Sequence, residues 1–237
     1  MSNDRFYAIR ILLLILFLLI QWAAHSQVVR IADPNLKQRI IALGYDTNDD
    51  NQIQLSEAQK VTKLYVNDLG IVNMEGINSF TNLEELGCYN NQLDALDVSK
   101  LKKLKYLYAY NNKIASLNIF GLTQLEHLYV HRNTFITALD ISKLTNLKEL
   151  YISDNRISKL DLTGLPAVEL IEAENNRLET VSLRSASKLK SVNLKNNPIQ
   201  PTVDIRGLAY LEYFNCEGCN LLFINFSGTV SLKKYTW

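Results

Sequence analysis

A chain of 237 residues carrying 25 Lys and Arg against 24 Asp and Glu has almost no net charge, which removes any global electrostatic argument for nucleic acid or a membrane surface as partner. Three cysteines are too few for a disulfide scaffold. Length alone allows one or two ordinary domains, but the spacing of the apolar residues overrides that prior.

Residues 1–26 read as a secretory leader. Arg5 and Arg10 give a positive start, Ile11 to Ile20 is an unbroken apolar run, and Ala24-His25-Ser26 sets small residues where a signal peptidase cuts, leaving Gln27 first. The rival, a retained anchor, needs an apolar core of ~20 residues, and Gln21 ends this one early. No Cys follows the cut, so a lipoprotein anchor has no attachment point. The predicted mature protein is secreted or held at the cell envelope or cell surface, and is not an integral membrane protein. Loss of Arg5, Arg10 and Asp4 leaves its charges balanced.

Residues 27–60 form a predicted cap. Asp33-Pro34 opens a helix in the expected order, N-cap then Pro in the first turn, and Leu36, Ile40, Ile41 and Leu43 follow at helical spacing up to Gly44. The next stretch aligns with a twelve-residue calcium loop. Asp46, Asn48 and Asp50 take positions 1, 3 and 5, Gln52 offers its carbonyl at 7, Gln54 acts at 9 through water, and Glu57 supplies the closing carboxylate at 12. Hard oxygen donors at these intervals suit Ca²⁺ because the chain wraps the ion in one turn. Asn51 stands where such loops carry Gly, and Asn is the residue after Gly that best tolerates positive φ. The stretch resembles a lone EF-hand or dockerin-type loop, which implies a weak structural Ca²⁺ bracing the cap. The other reading is a polar linker between helix and first repeat.

From Val61 to Trp237 one pattern restarts nine times, at Val61, Leu83, Leu104, Leu125, Leu147, Val168, Leu189, Leu211 and Leu232, spaced by 21 or 22 residues. A fixed period of that length is the mark of a stacked solenoid. In the repeat from Leu104, Leu107 and Ala109 alternate with Tyr106, Tyr108 and Tyr110, the period of two that buries one face of a strand. Asn112 then turns the chain, and Ile114, Leu117, Ile119 and Leu122 point back into the core on a return path too short for a long helix. Asn91, Asn112, Asn133, Asn155, Asn176 and Asn197 recur as an internal ladder that satisfies backbone groups of adjoining coils. Extra residues follow Asn133 and Asn197, on the return path, where a bulge spares the strand register. Cys88 and Cys216 occupy inward slots six repeats, roughly 29 Å, apart and cannot pair with each other. Cys219 sits in the Asn slot, and the Cys216–Cys219 pair reads as core cysteine rather than redox chemistry. Lys100, Lys102, Lys103 and Lys105 read as a solvated repeat face, not a nucleic-acid site.

The pattern L-x-x-L-x-[LVIAC]-x-x-N-x-[LI] resembles the leucine-rich repeat family over residues 61–237. The tails Leu96-Asp97-Val98-Ser99, Leu139-Asp140-Ile141-Ser142 and Leu160-Asp161-Leu162-Thr163 resemble the short variant of secreted bacterial repeat proteins. The resemblance implies an α/β-type repeat solenoid, a horseshoe with a parallel concave sheet, an extended or 3₁₀ convex side and a small helical N-terminal cap. It also implies a non-enzymatic scaffold for protein recognition.

The outward strand positions are the readable surface, and aromatics concentrate in the repeats from Leu83 to Leu147. Tyr89, Tyr106, Tyr108, Tyr110, His127, Tyr129, His131 and Tyr151 are the candidate partner-binding residues, with Tyr108, Tyr129 and Tyr151 in one column. A protein ligand is the expected partner; a carbohydrate-binding adhesin stacking sugars on the Tyr ladder is the alternative, and a structural spacer is the third reading. His127 and His131 lie about 13 Å apart on one strand, too far to share an ion unaided. Glu172 and Glu174, about 7 Å apart, have glycosidase-like spacing but no cleft. No phosphate loop or nucleophile motif occurs. Leu232, Tyr235 and Trp237 begin a ninth repeat, so the expectation at this end is a folded-over Trp237, a dimer contact or a longer protein.

Overall fold

The computed structural model describes residues 27–237 together with Arg10, Leu12 and Leu13; the leader predicted for 1–26 otherwise lies outside the described residues. Each restart of the repeat becomes one short strand, numbered here in chain order with the strands of the return path. The concave strands are β1 (Lys63–Tyr65), β2 (Glu85–Gly87), β4 (Tyr106–Tyr108), β6 (His127–Tyr129), β7 (Glu149–Tyr151), β9 (Leu170–Glu172), β11 (Ser191–Asn193), β12 (Tyr213–Asn215) and β13 (Lys234–Thr236). They form one nine-stranded parallel sheet in that order. The central residues Leu64, Leu86, Leu107, Leu128, Leu150, Ile171, Val192 and Phe214 are all fully buried. No coil covers its own apolar edge; the neighbours do, and one continuous core results.

The Asn ladder is as expected, and its geometry explains the Asn-Asn pairs in the sequence. Asn133 is fully buried. Its Nδ2 donates to Ala109 O and Val130 O at 3.0 Å, and its Oδ1 accepts from Ile114 N at 3.0 Å. Asn91, Asn112, Asn176 and Asn197 repeat this pattern. The residue just before each ladder position is left-handed: Asn90, Asn111, Arg132, Asp154, Asn175 and Asn196 have φ of 54–57°. Asn and Asp tolerate that conformation best, so the first Asn makes the turn and the second fills the core.

The return path carries β3 (Ala95–Asp97), β5 (Ser116–Asn118), β8 (Lys159–Asp161) and β10 (Thr180–Ser182), plus a 3₁₀ turn at Ile77–Ser79. β3 pairs with β5 and β8 with β10, again in parallel. The inserted residues after Asn133 and Asn197 leave the concave register intact, since His127 still faces Glu149 and Ser191 still faces Tyr213. They do break the convex ladder. Residues 138–140 belong to no strand, and the Oδ1 of Asn155, the ladder residue of the next coil, is buried without a hydrogen-bond partner.

The cap follows its sequence signals. Helix α1 (Pro34–Ala42) starts at Asp33, whose Oδ1 accepts from Asn35 N and Leu36 N. Its Oδ2 accepts from Val72 N at 2.8 Å, tying the cap to the first coil. A one-turn helix α2 (Leu55–Ala58) follows the loop.

Two features went unforeseen. Cys216 and Cys219 form a disulfide, correcting the expectation of two core thiols. Gly218, at φ 73° in the left-handed turn position, brings their Cα atoms to 5.4 Å, within bridging range. Cys88 remains a thiol, and burial pushes its pKa up to about 12. The second feature is a column of alternating charge one residue after each restart: Glu84, Lys105, Glu126, Lys148, Glu169, Lys190, Glu212, Lys233. Each Lys pairs with the Glu of the preceding coil, at 2.8, 2.5, 2.6 and 2.8 Å. At the C-terminal coil Trp237 is 51% and Tyr235 57% exposed.

Candidate functional site

Three columns of side chains run across the concave sheet, one per outward position. In the first, Tyr106 stacks on His127 at 4.6 Å between ring centroids. In the second, Tyr108, Tyr129 and Tyr151 follow at 5.1 and 4.5 Å. In the third, Tyr89, Tyr110 and His131 follow at 4.6 and 4.5 Å. Lateral contacts join the columns: Tyr106–Tyr108, His127–Tyr129 and His131–Tyr151 lie at 6.4, 6.5 and 6.2 Å. All eight predicted residues therefore belong to one connected set of rings. The ring separation is the strand spacing, because residues in one column sit directly opposite each other in the parallel ladder.

Stacking at this distance covers most ring faces with other rings and turns edges and polar tips to solvent. Two of the tips converge on one carboxylate. The Tyr129 hydroxyl donates to Glu149, which also pairs with His127 Nδ1 at 3.3 Å. Burial, then the Glu149 carboxylate, raises the Tyr129 pKa. Burial lowers that of His131, with Arg132 adding to it, and His131 Nδ1 is buried without a hydrogen-bond partner. Both effects favour the neutral imidazole.

Tyr65 and Glu85 extend the patch and were missed by sequence reasoning. The Tyr65 hydroxyl donates to Glu85, and its ring lies over Gly87, where an added Cβ would stand 2.5 Å from Tyr65 Cδ1. The signal was the glycine itself, the one vacancy in a column of Tyr.

Beyond Tyr151 the surface turns acidic. Asn193 Nδ2 donates to both Glu172 (2.9 Å) and Glu174 (3.1 Å), so the pair shares one amide donor. Burial, with the Glu174 charge adding, raises the Glu172 pKa above 4.5. A raised folded-state pKa favours the native state most below the unfolded value, and that benefit fades as pH climbs through the folded value. Glu172→Gln should therefore raise the urea midpoint at pH 7 and leave it unchanged well below pH 4.5; a midpoint that does not move at pH 7 contradicts this account.

The loop 46–57 is closed by hydrogen bonds among its own residues. Asp49 and Asn51 are left-handed (φ 59° and 60°), with Asn51 in the glycine place. Asp46 accepts from Asp50 N at 3.3 Å and Asn51 N at 2.8 Å, and Asp50 accepts from Gln52 N at 2.8 Å. Asn48 Nδ2 and Gln54 Nε2 both donate to Asp50 Oδ2. Glu57 is engaged by Thr47 N, Thr47 Oγ1 and Gln54 N at 2.7–2.9 Å, which hold its pKa low against the cost of burial. Gln54 Oε1 is buried with no partner, an orphaned oxygen of the kind a hard cation would use. Among the described residues no three His, Cys, Asp or Glu side chains converge as a metal cluster, so an ion here would draw on amide and carbonyl oxygens as well.

Models of leucine-rich repeats match residues 102–144, as two copies, and 146–167. No curated protein matches the chain. Among solved structures, an internalin (inlF) from Listeria monocytogenes is 25% identical with a TM-score of 0.67, over 79% of this chain and 56% of its own. The chain thus spans little more than half the length of that relative. An internalin C2 from the same species is 22% identical with a TM-score of 0.69, over 86% and 92% of the two chains. A TDR receptor, 20% identical, gives a TM-score of 0.60 over 70% and 32%. The repeat spacing, the buried Asn ladder and these likenesses identify the fold as a leucine-rich repeat horseshoe.

Proposed function

We propose that the protein is a recognition module that binds a protein ligand through the concave aromatic cluster. The observation carrying this reading is the connected set of eight half-buried rings on the concave sheet. A rigid apolar body with a polar tip is what binding hot spots favour. Glycan recognition by stacking is the weaker reading, because sugar rings need open aromatic faces and these faces are mostly taken by one another. The leader segment supports a secreted or cell-envelope location, and no helix among the described residues is long and apolar enough to cross a membrane.

The test compares the chain from Gln27 onward with its Tyr108→Ala/Tyr129→Ala double variant, immobilised and presented with extracellular proteins and with a glycan array. Loss of a protein ligand in the variant, with retention in Tyr210→Ala, supports the reading. Loss of a glycan instead selects the adhesin, and no loss of either selects the spacer.

Calcium in the 46–57 loop is a second proposal, with Asp46, Asn48, Asp50, the Gln52 carbonyl and Glu57 as its donors and a bracing role in the cap. Calorimetric titration should give a Kd of about 10⁻⁴ to 10⁻³ M, abolished by Asp46→Ala. Absence of heat at millimolar calcium would remove the ion from the account.

A further inference from the structure

The convex side opens where the insertion after Asn133 interrupts strand pairing; smaller clefts lie beside Ala95 and Asp97 of β3 and between Leu183–Ser187 and Asp204–Leu208. Where convex strands pair, the bonding is regular: Ala115 N donates to Asp94 O and Val98 N to Asn118 O across β3 and β5, and Glu179 N donates to Ser158 O and Leu162 N to Ser182 O across β8 and β10. In the coil with the insertion after Asn133, no backbone hydrogen bond joins residues 137–141 to β5 or to β8. A cleft of about 560 Å³ lies between this segment and β8, lined by Ala138, Leu139, Ile141, Ser158, Lys159 and Asp161 among others.

Hydrogen-bonding groups in a parallel strand alternate between its two neighbours. Leu160 and Leu162 face β10, as the Leu162 bond shows, so the N–H and C=O groups of Lys159 and Asp161 face the cleft. None of these four groups has a backbone partner. Across the cleft, Leu139 is only partly buried, while Leu160 of β8 is 3% exposed. The rim carries Asp140, Asp161 and Lys159, and each is already engaged. Lys159 Nζ and Asp161 Oδ2 lie 3.7 Å apart, and Asp140 Oδ1 already accepts from Ser142 N. What is unmet is backbone and apolar surface.

We infer that this cleft is a docking site for an extended peptide segment of a partner protein, which adds a strand to the β8 edge. The peptide runs parallel to β8, exchanges hydrogen bonds with the N–H and C=O groups of Lys159 and Asp161, and lays an apolar side chain from its central residue over Leu139. Strand addition of this kind takes affinity from the main chain and selectivity from alternate side-chain pockets. The site is on the opposite side of the coil from the aromatic cluster and does not depend on that cluster's role.

The test is a titration of the ¹⁵N-labelled chain from Gln27 onward with the end-blocked pentapeptide Thr-Thr-Val-Thr-Thr. Chemical shifts and slowed amide exchange are expected at Lys159 and Asp161, with Leu160 and Leu162, already bonded to β10, little changed. The same peptide N-methylated at alternate amides should bind about tenfold more weakly. Lys159→Pro should weaken the parent peptide by a similar factor, because it removes one cleft-facing N–H and no bond to β10. Equal binding of the N-methylated peptide, or shifts confined to the concave strands, would overturn the proposal. So would protection of the Lys159 and Asp161 amides that grows with protein concentration in the absence of peptide, which would make a second copy the occupant.

Discussion

Asn133→Ala is expected to lower the free energy of unfolding by about 3 kcal/mol or more, the range reached when a buried hydrogen-bond network is broken. The side chain occupies no accessible surface and serves two coils at once, donating to carbonyls of both and accepting from a return-path N–H. Alanine leaves Ile114 N without a partner where water has no access, which costs about 1–3 kcal/mol, and strips one of two amide donors from each of Ala109 O and Val130 O, which keep Asn112 and Asn155. Asn155→Ala supplies the internal control. Asn155 Nδ2 makes the same two donations, to Val130 O and Ile152 O, but its Oδ1 accepts nothing. Its loss should cost less than that of Asn133. Urea denaturation of both variants decides the matter, and an equal or reversed order would mean that the return-path bond contributes nothing.

For binding, the largest single effect is expected at Tyr129. It is the ring with the most neighbours in the cluster, stacked between Tyr108 and Tyr151, beside His127, with its hydroxyl on Glu149. Under the proposed function, Tyr129→Ala should weaken the protein ligand by about 2–4 kcal/mol, a hot-spot loss. Tyr129→Phe keeps the stack and removes only the hydroxyl bond, so about 0.5–1.5 kcal/mol is expected. Calorimetry on the captured ligand separates the two. If Phe were as damaging as Ala, the hydroxyl and its carboxylate, rather than the aromatic body, would be the recognised element.

The parts of this molecule legible in its sequence are those set by periodicity. Apolar residues at a fixed interval can be satisfied by one kind of stack, so Leu107, Leu128 and Leu150 fall one above another and the tyrosines beside them share a column. Capping was equally local: Asp33 before Pro34 announces a helix start. What stayed hidden depends on what an interruption does to its neighbours. The extra residue after Asn133 was visible as a count, yet its effect on convex pairing and on the Asn155 oxygen arises one coil away. Tyr65 looked like an isolated residue until Gly87 proved to leave room for its ring. The disulfide was hidden because Cys219 occupies a slot where a thiol is also acceptable; only the left-handed turn at Gly218 sets the two sulfurs face to face.

The alternating column from Glu84 to Lys233 adds little to stability pair by pair, since exposed ion pairs are worth about 0–1 kcal/mol each. Its effect is on errors of assembly. Coils of nearly identical shape could be skipped during folding, or traded with another molecule, at small cost in apolar contact. Any such displacement by a single coil would set glutamate beside glutamate and lysine beside lysine. Displacement by two coils would restore attraction, so this parity check rejects the nearest and most accessible mistakes while staying silent about rarer ones.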